Sequence, residues 1–136
     1  MNYVELLKEK SKKTKSIVCI GLDPDIEKIP LKENDIEKKI FLFYKNILDA
    51  ATNENLINII KPNYAFYAQY GFPGLRALKK ILEFCKEKDL IVILDAKRAD
   101  IGNTSKAYAK EVFEFLKLLE RSLINWNAHF SFQYPA

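Results

Sequence analysis

Three short apolar runs constrain this chain more than any other feature: Ile17-Val18-Cys19-Ile20-Gly21-Leu22, Leu56-Ile57-Asn58-Ile59-Ile60 and Leu90-Ile91-Val92-Ile93-Leu94. They are continuous and rich in β-branched residues rather than alternating, the pattern of strands buried on both faces of a parallel sheet. Each is followed by helical spacing. From Asn34 or Asp35, apolar residues at Ile36, Ile40, Phe43, Tyr44, Ile47, Leu48 and Ala51 predict the first such helix. Pro73 and Gly74 open the next, with a buried stripe of Leu75, Leu78, Ile81, Leu82 and Cys85. Tyr108, Val112, Phe115, Leu116 and Leu119 mark another. Asn63-Tyr64-Ala65-Phe66-Tyr67 reads as a loop whose rings pack. Repeated strand–helix units joined by right-handed crossovers define the α/β class.

The charges fall where such a sheet binds ligands. Asp23 follows the first run, Lys61 ends the second, and Asp95 and Lys97 close the third. In parallel α/β folds the C-terminal ends of the strands share one rim, so these residues are expected to converge. Asp95 and Lys97 are two apart, which puts both side chains on one face of an extended segment, with Asp100 following after a turn. A surface salt-bridge network is the alternative for such a trio. Their position at the end of a buried strand, beside charged residues ending two neighbouring strands, favours a site. A lysine held between carboxylates suits chemistry in which negative charge develops on carbon and a proton is then delivered.

Other function classes find little support. The net charge of +4 arises from 22 basic and 18 acidic residues, and the Lys8 to Lys15 segment reads as a solvated first helix rather than a nucleic-acid arm. His129 is the one histidine, and Cys19 and Cys85 lie far apart, so no zinc-type ligand set is expected; both thiols read as reduced packing residues. The N-terminus lacks the apolar core of a signal peptide and no run of about 18 apolar residues occurs, so a cytoplasmic protein without membrane contact is expected.

Three ordered pieces carry a family resemblance: Cys19-Ile20-Gly21-Leu22-Asp23-Pro24-Asp25, Lys61-Pro62-Asn63-Tyr64-Ala65-Phe66-Tyr67, and Leu94-Asp95-Ala96-Lys97-Arg98-Ala99-Asp100-Ile101-Gly102-Asn103-Thr104. In order and spacing they resemble orotidine 5'-phosphate decarboxylase, in particular the subgroup often called type 2. The resemblance implies cofactor-free and metal-free decarboxylation of orotidine 5'-monophosphate to UMP, in pyrimidine biosynthesis. It implies Lys97 as proton donor to C6 of the pyrimidine, Asp95 beside the substrate carboxylate, Lys61 anchoring the charges and the ribose hydroxyls, and Asp23 on the ribose. It further implies a homodimer in which Asp100, Ile101 and Thr104 reach the partner's site.

A complete (β/α)8 barrel needs about 250 residues, whereas this chain has 136. The expected architecture is therefore the N-terminal half of a TIM barrel, truncated after three to four βα units, with Ser122-Leu123-Ile124-Asn125-Trp126 as a fourth strand. Residues 1–117 form the barrel part. The aromatic, nearly acid-free segment 118–136 reads as a divergent tail, the expected product of a lost reading frame. No counterpart of the family's late phosphate-binding loops is present. Exposed strand edges predict self-association. Two alternatives stay open: a non-catalytic α/β fragment binding a phosphorylated ligand or a partner chain, and a related sugar-phosphate decarboxylase or aldolase.

Overall fold

The computed structural model describes residues 3–98 and 100–120, with side chains from residue 4 to residue 111. Helix α1 (Tyr3–Thr14) precedes strand β1 (Cys19–Leu22). Helix α2 (Ile36–Asn53), strand β2 (Ile59–Pro62), helices α3 (Tyr64–Ala68) and α4 (Gly71–Glu87), strand β3 (Ile91–Val92) and helix α5 (Gly102–Glu120) follow. The strands form one parallel sheet in the order β1-β2-β3. The class is α/β, and the described elements are those of the N-terminal part of a (β/α)8 barrel.

Sequence explains the helices that connect the strands. Asp35 caps α2 by accepting a hydrogen bond from the Lys38 amide at 3.0 Å, which satisfies one of the unpaired N–H groups of the first turn. Ile40, Tyr44, Leu48 and Ala51 then recur at helical spacing and are buried. Helix α4 buries Ala77, Leu78, Ile81, Leu82, Phe84 and Cys85 and packs against α2, α3 and β3, while Leu75 is half-buried. A fully buried Leu or Ile contributes about 1.5–3 kcal/mol relative to an exposed one, so these two stripes hold the helices on the sheet. Helix α1 is tied to the start of the β2 segment. The buried Asn58 side chain donates to Thr14 Oγ1 at 2.9 Å and to the Ser16 carbonyl at 3.2 Å. Lys8, Lys12, Lys13 and Lys15 are exposed, as a solvated helix requires, and Lys10 pairs with Asp89 at 2.5 Å.

Several expectations need correction. β1 is not buried on both faces: Cys19 and Gly21 are exposed, as are Ile17 and Val18 outside it. The cause is topological, since among the described residues β1 pairs with β2 alone and forms an edge of the sheet. Cys19 is accordingly no packing residue, whereas Cys85 is buried. β2 starts later than expected, leaving Leu56 exposed and placing Lys61 and Pro62 inside the strand. Residues 64–68 are a short helix, not a loop. The Asn63 side chain caps it through the Ala65 amide at 3.2 Å, and Tyr67 is fully buried beneath it. The expected strand at 122–126 and most of segment 118–136 lie outside the described residues.

Candidate functional site

Lys61, Asp95 and Lys97 meet at the C-terminal rim of the sheet. Beyond β3 the parallel pairing continues as a bridge between Asn63 and Asp95. The Asp95 amide donates to the Pro62 carbonyl and the Tyr64 amide donates to the Asp95 carbonyl, both at 2.9 Å. Asp95 is thus fixed by its main chain beside β2. One of its oxygens, Oδ2, accepts from both ammonium groups: Lys61 at 3.4 Å and Lys97 in a shorter contact. The other, Oδ1, is buried and has no hydrogen-bond partner among the described residues. The Asp95 side chain is only 9% exposed, against 38% for Lys61 and 63% for Lys97. Burial alone pushes the Asp95 carboxyl up, but the Lys97 and Lys61 ammoniums together outweigh it and hold the group below the usual aspartate range. Two cations around one anion leave the triad itself net positive, while Asp23 on the same rim offsets that charge at a distance.

Lys97 reaches this position by a route the spacing does not predict. Its backbone is not extended but lies at φ +38°. The other non-glycine residues at positive φ, Lys15, Asn55 and Asp89, follow the C-termini of α1, α2 and α4, where a left-handed residue is ordinary. Lys97 ends no helix. A non-glycine residue held there costs about 1–3 kcal/mol and persists only where its surroundings enforce it.

The residue after Lys97 lies in a side-chain cluster that the motif spacing does not announce. Arg98 lies over the Tyr64 ring at 5.3 Å and the Tyr108 ring at 5.0 Å from the centroids. Its Nη2 pairs with Glu111 Oε1 at 3.0 Å, and the Tyr64 hydroxyl donates to the same oxygen at 3.1 Å. Burial first, and then Glu111, push the Tyr64 hydroxyl pKa up. Only the apolar spacing of Tyr108 hinted at this cluster, and it marked a helix face rather than an arginine partner.

The remaining expected residues stand apart from the triad. Asp23 follows β1 on the same rim but is exposed, and among the described residues no hydrogen bond or ion pair joins it to Lys61, Asp95 or Lys97. Its charge is felt by the buried Tyr44 hydroxyl, whose pKa burial first and then Asp23 push up, and least of the causes by Tyr67, which burial, Tyr44 and Cys85 push up before it. Asp100 accepts from the neighbouring Ile101 amide at 2.7 Å, and Asp100, Ile101 and Thr104 are all exposed. Among the described residues no group of three or more His, Cys, Asp or Glu side chains forms a metal site, and no helix is long and apolar enough to cross a membrane.

A parallel strand–helix array with acid and ammonium groups on its C-terminal rim defines a barrel-type α/β enzyme fold. Residues 16–128 match the orotidine 5'-phosphate decarboxylase / HUMPS family. The chain belongs to that family. The orotidine 5'-phosphate decarboxylase of Flavobacterium johnsoniae is 46% identical over 112 residues, covering 81% of this chain and 40% of that protein. The one from Parabacteroides distasonis is 42% identical over 120 residues, covering 87% and 42%. Among solved structures, a Toxoplasma gondii chain described as an orotidine-monophosphate decarboxylase superposes with a TM-score of 0.70 at 33% identity, covering 83% of this chain and 37% of that one. Plasmodium berghei orotidine 5'-monophosphate decarboxylase gives 0.62 at 28% identity, covering 85% and 50%. The chain therefore spans about 40% of the length of the curated relatives it matches.

Proposed function

We propose that the chain carries the proton-donating half of an orotidine 5'-monophosphate decarboxylase site. The observation that supports this most is the Lys61–Asp95–Lys97 array, built on two adjacent strands and tied to the family motif. In the proposed reaction the bond from pyrimidine C6 to its carboxylate carbon breaks, carbon dioxide leaves, and the electron pair stays on C6. The Lys97 ammonium delivers its proton to that carbon and becomes a neutral amine. Asp95, held charged by both lysines, lies beside the departing carboxylate. Its unpartnered Oδ1 favours the substrate's loss of negative charge at that point, because like charges repel most strongly where water is excluded. Lys61 holds Asp95 in place and offers its remaining donors to ribose hydroxyls, as does Asp23 its acceptors. No cofactor is assigned a step.

The exposed Asp100, Ile101 and Thr104 fit a role across an interface with a second protomer, and the open β1 edge, with Ile17, Val18 and Cys19 uncovered, offers unpaired backbone for association. We place the working form as a cytoplasmic self-associated species, and segment 118–136 as a tail of different origin, although the family match continues to residue 128. The coding DNA tests the tail: a shifted frame downstream should restore barrel-like sequence.

The decisive test is the ultraviolet absorbance change of orotidine 5'-monophosphate with the purified chain and with Lys97→Ala, each run alongside light scattering. Turnover lost in the variant, from an associated species, is the expected result. Equal turnover in both forms removes Lys97 from the reaction, and no turnover in either denies this chain a working site.

A further inference from the structure

We propose that Arg98 is a positioning residue for Lys97, its guanidinium clamped by Tyr64, Tyr108 and Glu111 so that the left-handed backbone at residue 97 keeps the ammonium on Asp95. The inference rests on the reading of Lys97 as the proton donor, and extends it to how that donor is aimed.

The argument is one of anchors. On the N-terminal side of Lys97, Asp95 is fixed by two main-chain hydrogen bonds, to Pro62 and Tyr64, and Ala96 packs against the core. On the C-terminal side no strand pairing continues among the described residues, and α5 begins only at Gly102. The Arg98 side chain supplies the missing anchor, stacked on two rings and paired with Glu111. Tyr64 serves both sides at once, holding the Asp95 carbonyl with its amide and Arg98 with its ring. Glu111 draws the arrangement together by accepting from Arg98 and from the Tyr64 hydroxyl. Lys97 itself is mostly exposed, so nothing packed on its own side chain explains its φ of +38°. Without the second anchor the backbone relaxes toward negative φ, the ordinary region for a lysine, and the ammonium leaves Asp95. Lysine cannot replace Arg98, because the planar guanidinium both stacks and forms the directed pair.

The direct readout is the titration of Asp95, whose carboxyl is held down by Lys97 and Lys61. Carbon-13 NMR of carboxyl-labelled aspartate, with the Asp95 signal assigned through Asp95→Asn, is recorded for wild type, Arg98→Ala, Glu111→Gln and the α5 surface control Lys106→Ala. Circular dichroism and cooperative unfolding confirm that each is folded. Asp95 is expected to titrate at higher pH in Arg98→Ala, to a smaller extent in Glu111→Gln, and unchanged in the control. The Glu111 variant separates geometry from simple charge: removing a negative group through space lowers the Asp95 pKa, whereas loosening the clamp raises it. It also decides the matter if Arg98→Ala does not fold.

An Asp95 titration unchanged in folded Arg98→Ala, or shifted downward in Glu111→Gln, overturns the proposal. In kinetics, Arg98→Ala should lower kcat about tenfold or more with KM nearly unchanged, as misplacing one reacting group does. Absence of turnover in every form, wild type included, counts against the decarboxylase reading while the NMR titration still decides the clamp.

Discussion

Gly74 is where a single added methyl group should do most harm to the site without touching it. It lies in the first turn of α4, buried against α3. A Cβ built there falls inside the envelope of the Tyr67 carbonyl oxygen, 2.9 Å from the carbonyl carbon and 3.0 Å from Tyr70 Cβ. The obstacle is backbone, so it cannot swing away as a flexible side chain would. Overpacking of this kind costs about 1–3 kcal/mol, and the upper part of that range applies where main chain must move. Against it stands the helix preference of alanine over glycine, about 1 kcal/mol. Gly74→Ala should therefore destabilise the chain by about 1–2 kcal/mol, read as a lower urea midpoint at unchanged slope. Because α3 begins at Tyr64, whose amide holds the Asp95 carbonyl, the shift should also speed hydrogen exchange at Tyr64. A midpoint equal to or above wild type would refute the reasoning, since helix propensity would then have outweighed the clash.

Tyr67→Phe should act in the opposite sense. The Tyr67 hydroxyl is buried without a partner among the described residues, so deleting it relieves a desolvated polar group and should stabilise the chain by about 1 kcal/mol; a lower urea midpoint would show that the hydroxyl has a partner after all. The pH dependence of stability should carry the signature of Asp95. Its carboxyl is held below its ordinary value in the folded chain, so the unfolded state binds protons first as pH falls. The stabilisation is complete above the unfolded value near about 4 and is lost as pH drops through the lower folded value. Glu37, lowered by Lys80 and Arg76, acts on the same acid limb, so the comparison is between wild type and Asp95→Asn. The variant should show a flatter acid limb of urea midpoint against pH, and superimposable limbs would count against the pairing.

The parts of this fold legible in sequence are those set by local pattern. The stripe of Ile40, Tyr44 and Leu48 and the Asp35 cap announce α2, and the β-branched run at 90–94 announces β3. Burial of β1 was not legible, because strands inside and at the edge of a sheet share a composition while the neighbour decides exposure. The α3 helix was hidden because five residues give no period; it exists through one cap at Asn63 and one buried ring at Tyr67. At the site, Asp95 and Lys97 do meet, yet the extended geometry invoked to join them is absent. Lysine carries no sequence mark of a left-handed backbone. The Arg98 cluster was invisible for a different reason: residues 64, 98, 108 and 111 meet only through tertiary packing.

The distribution of these charges over the strands explains what part of a barrel can hold. Lys61 and Asn63 are two apart, so they occupy one face of the β2 line, and the Asn63–Asp95 bridge brings Asp95 level with them. The Lys61–Asp95 contact therefore needs only two adjacent parallel strands and the α2 and α4 helices that support them. Lys97 needs one further layer, the α3 and α5 residues that clamp Arg98. Asp23, which follows the edge strand β1, makes no hydrogen bond or ion pair with the array among the described residues. The Lys61–Asp95–Lys97 geometry is thus assembled on β2, the segment after β3 and the helices around them, and does not draw on β1. A strand paired with β1 should therefore leave the Lys61–Asp95–Lys97 geometry nearly unchanged and act on a bound ligand through remote contacts, which order it against groups already in place.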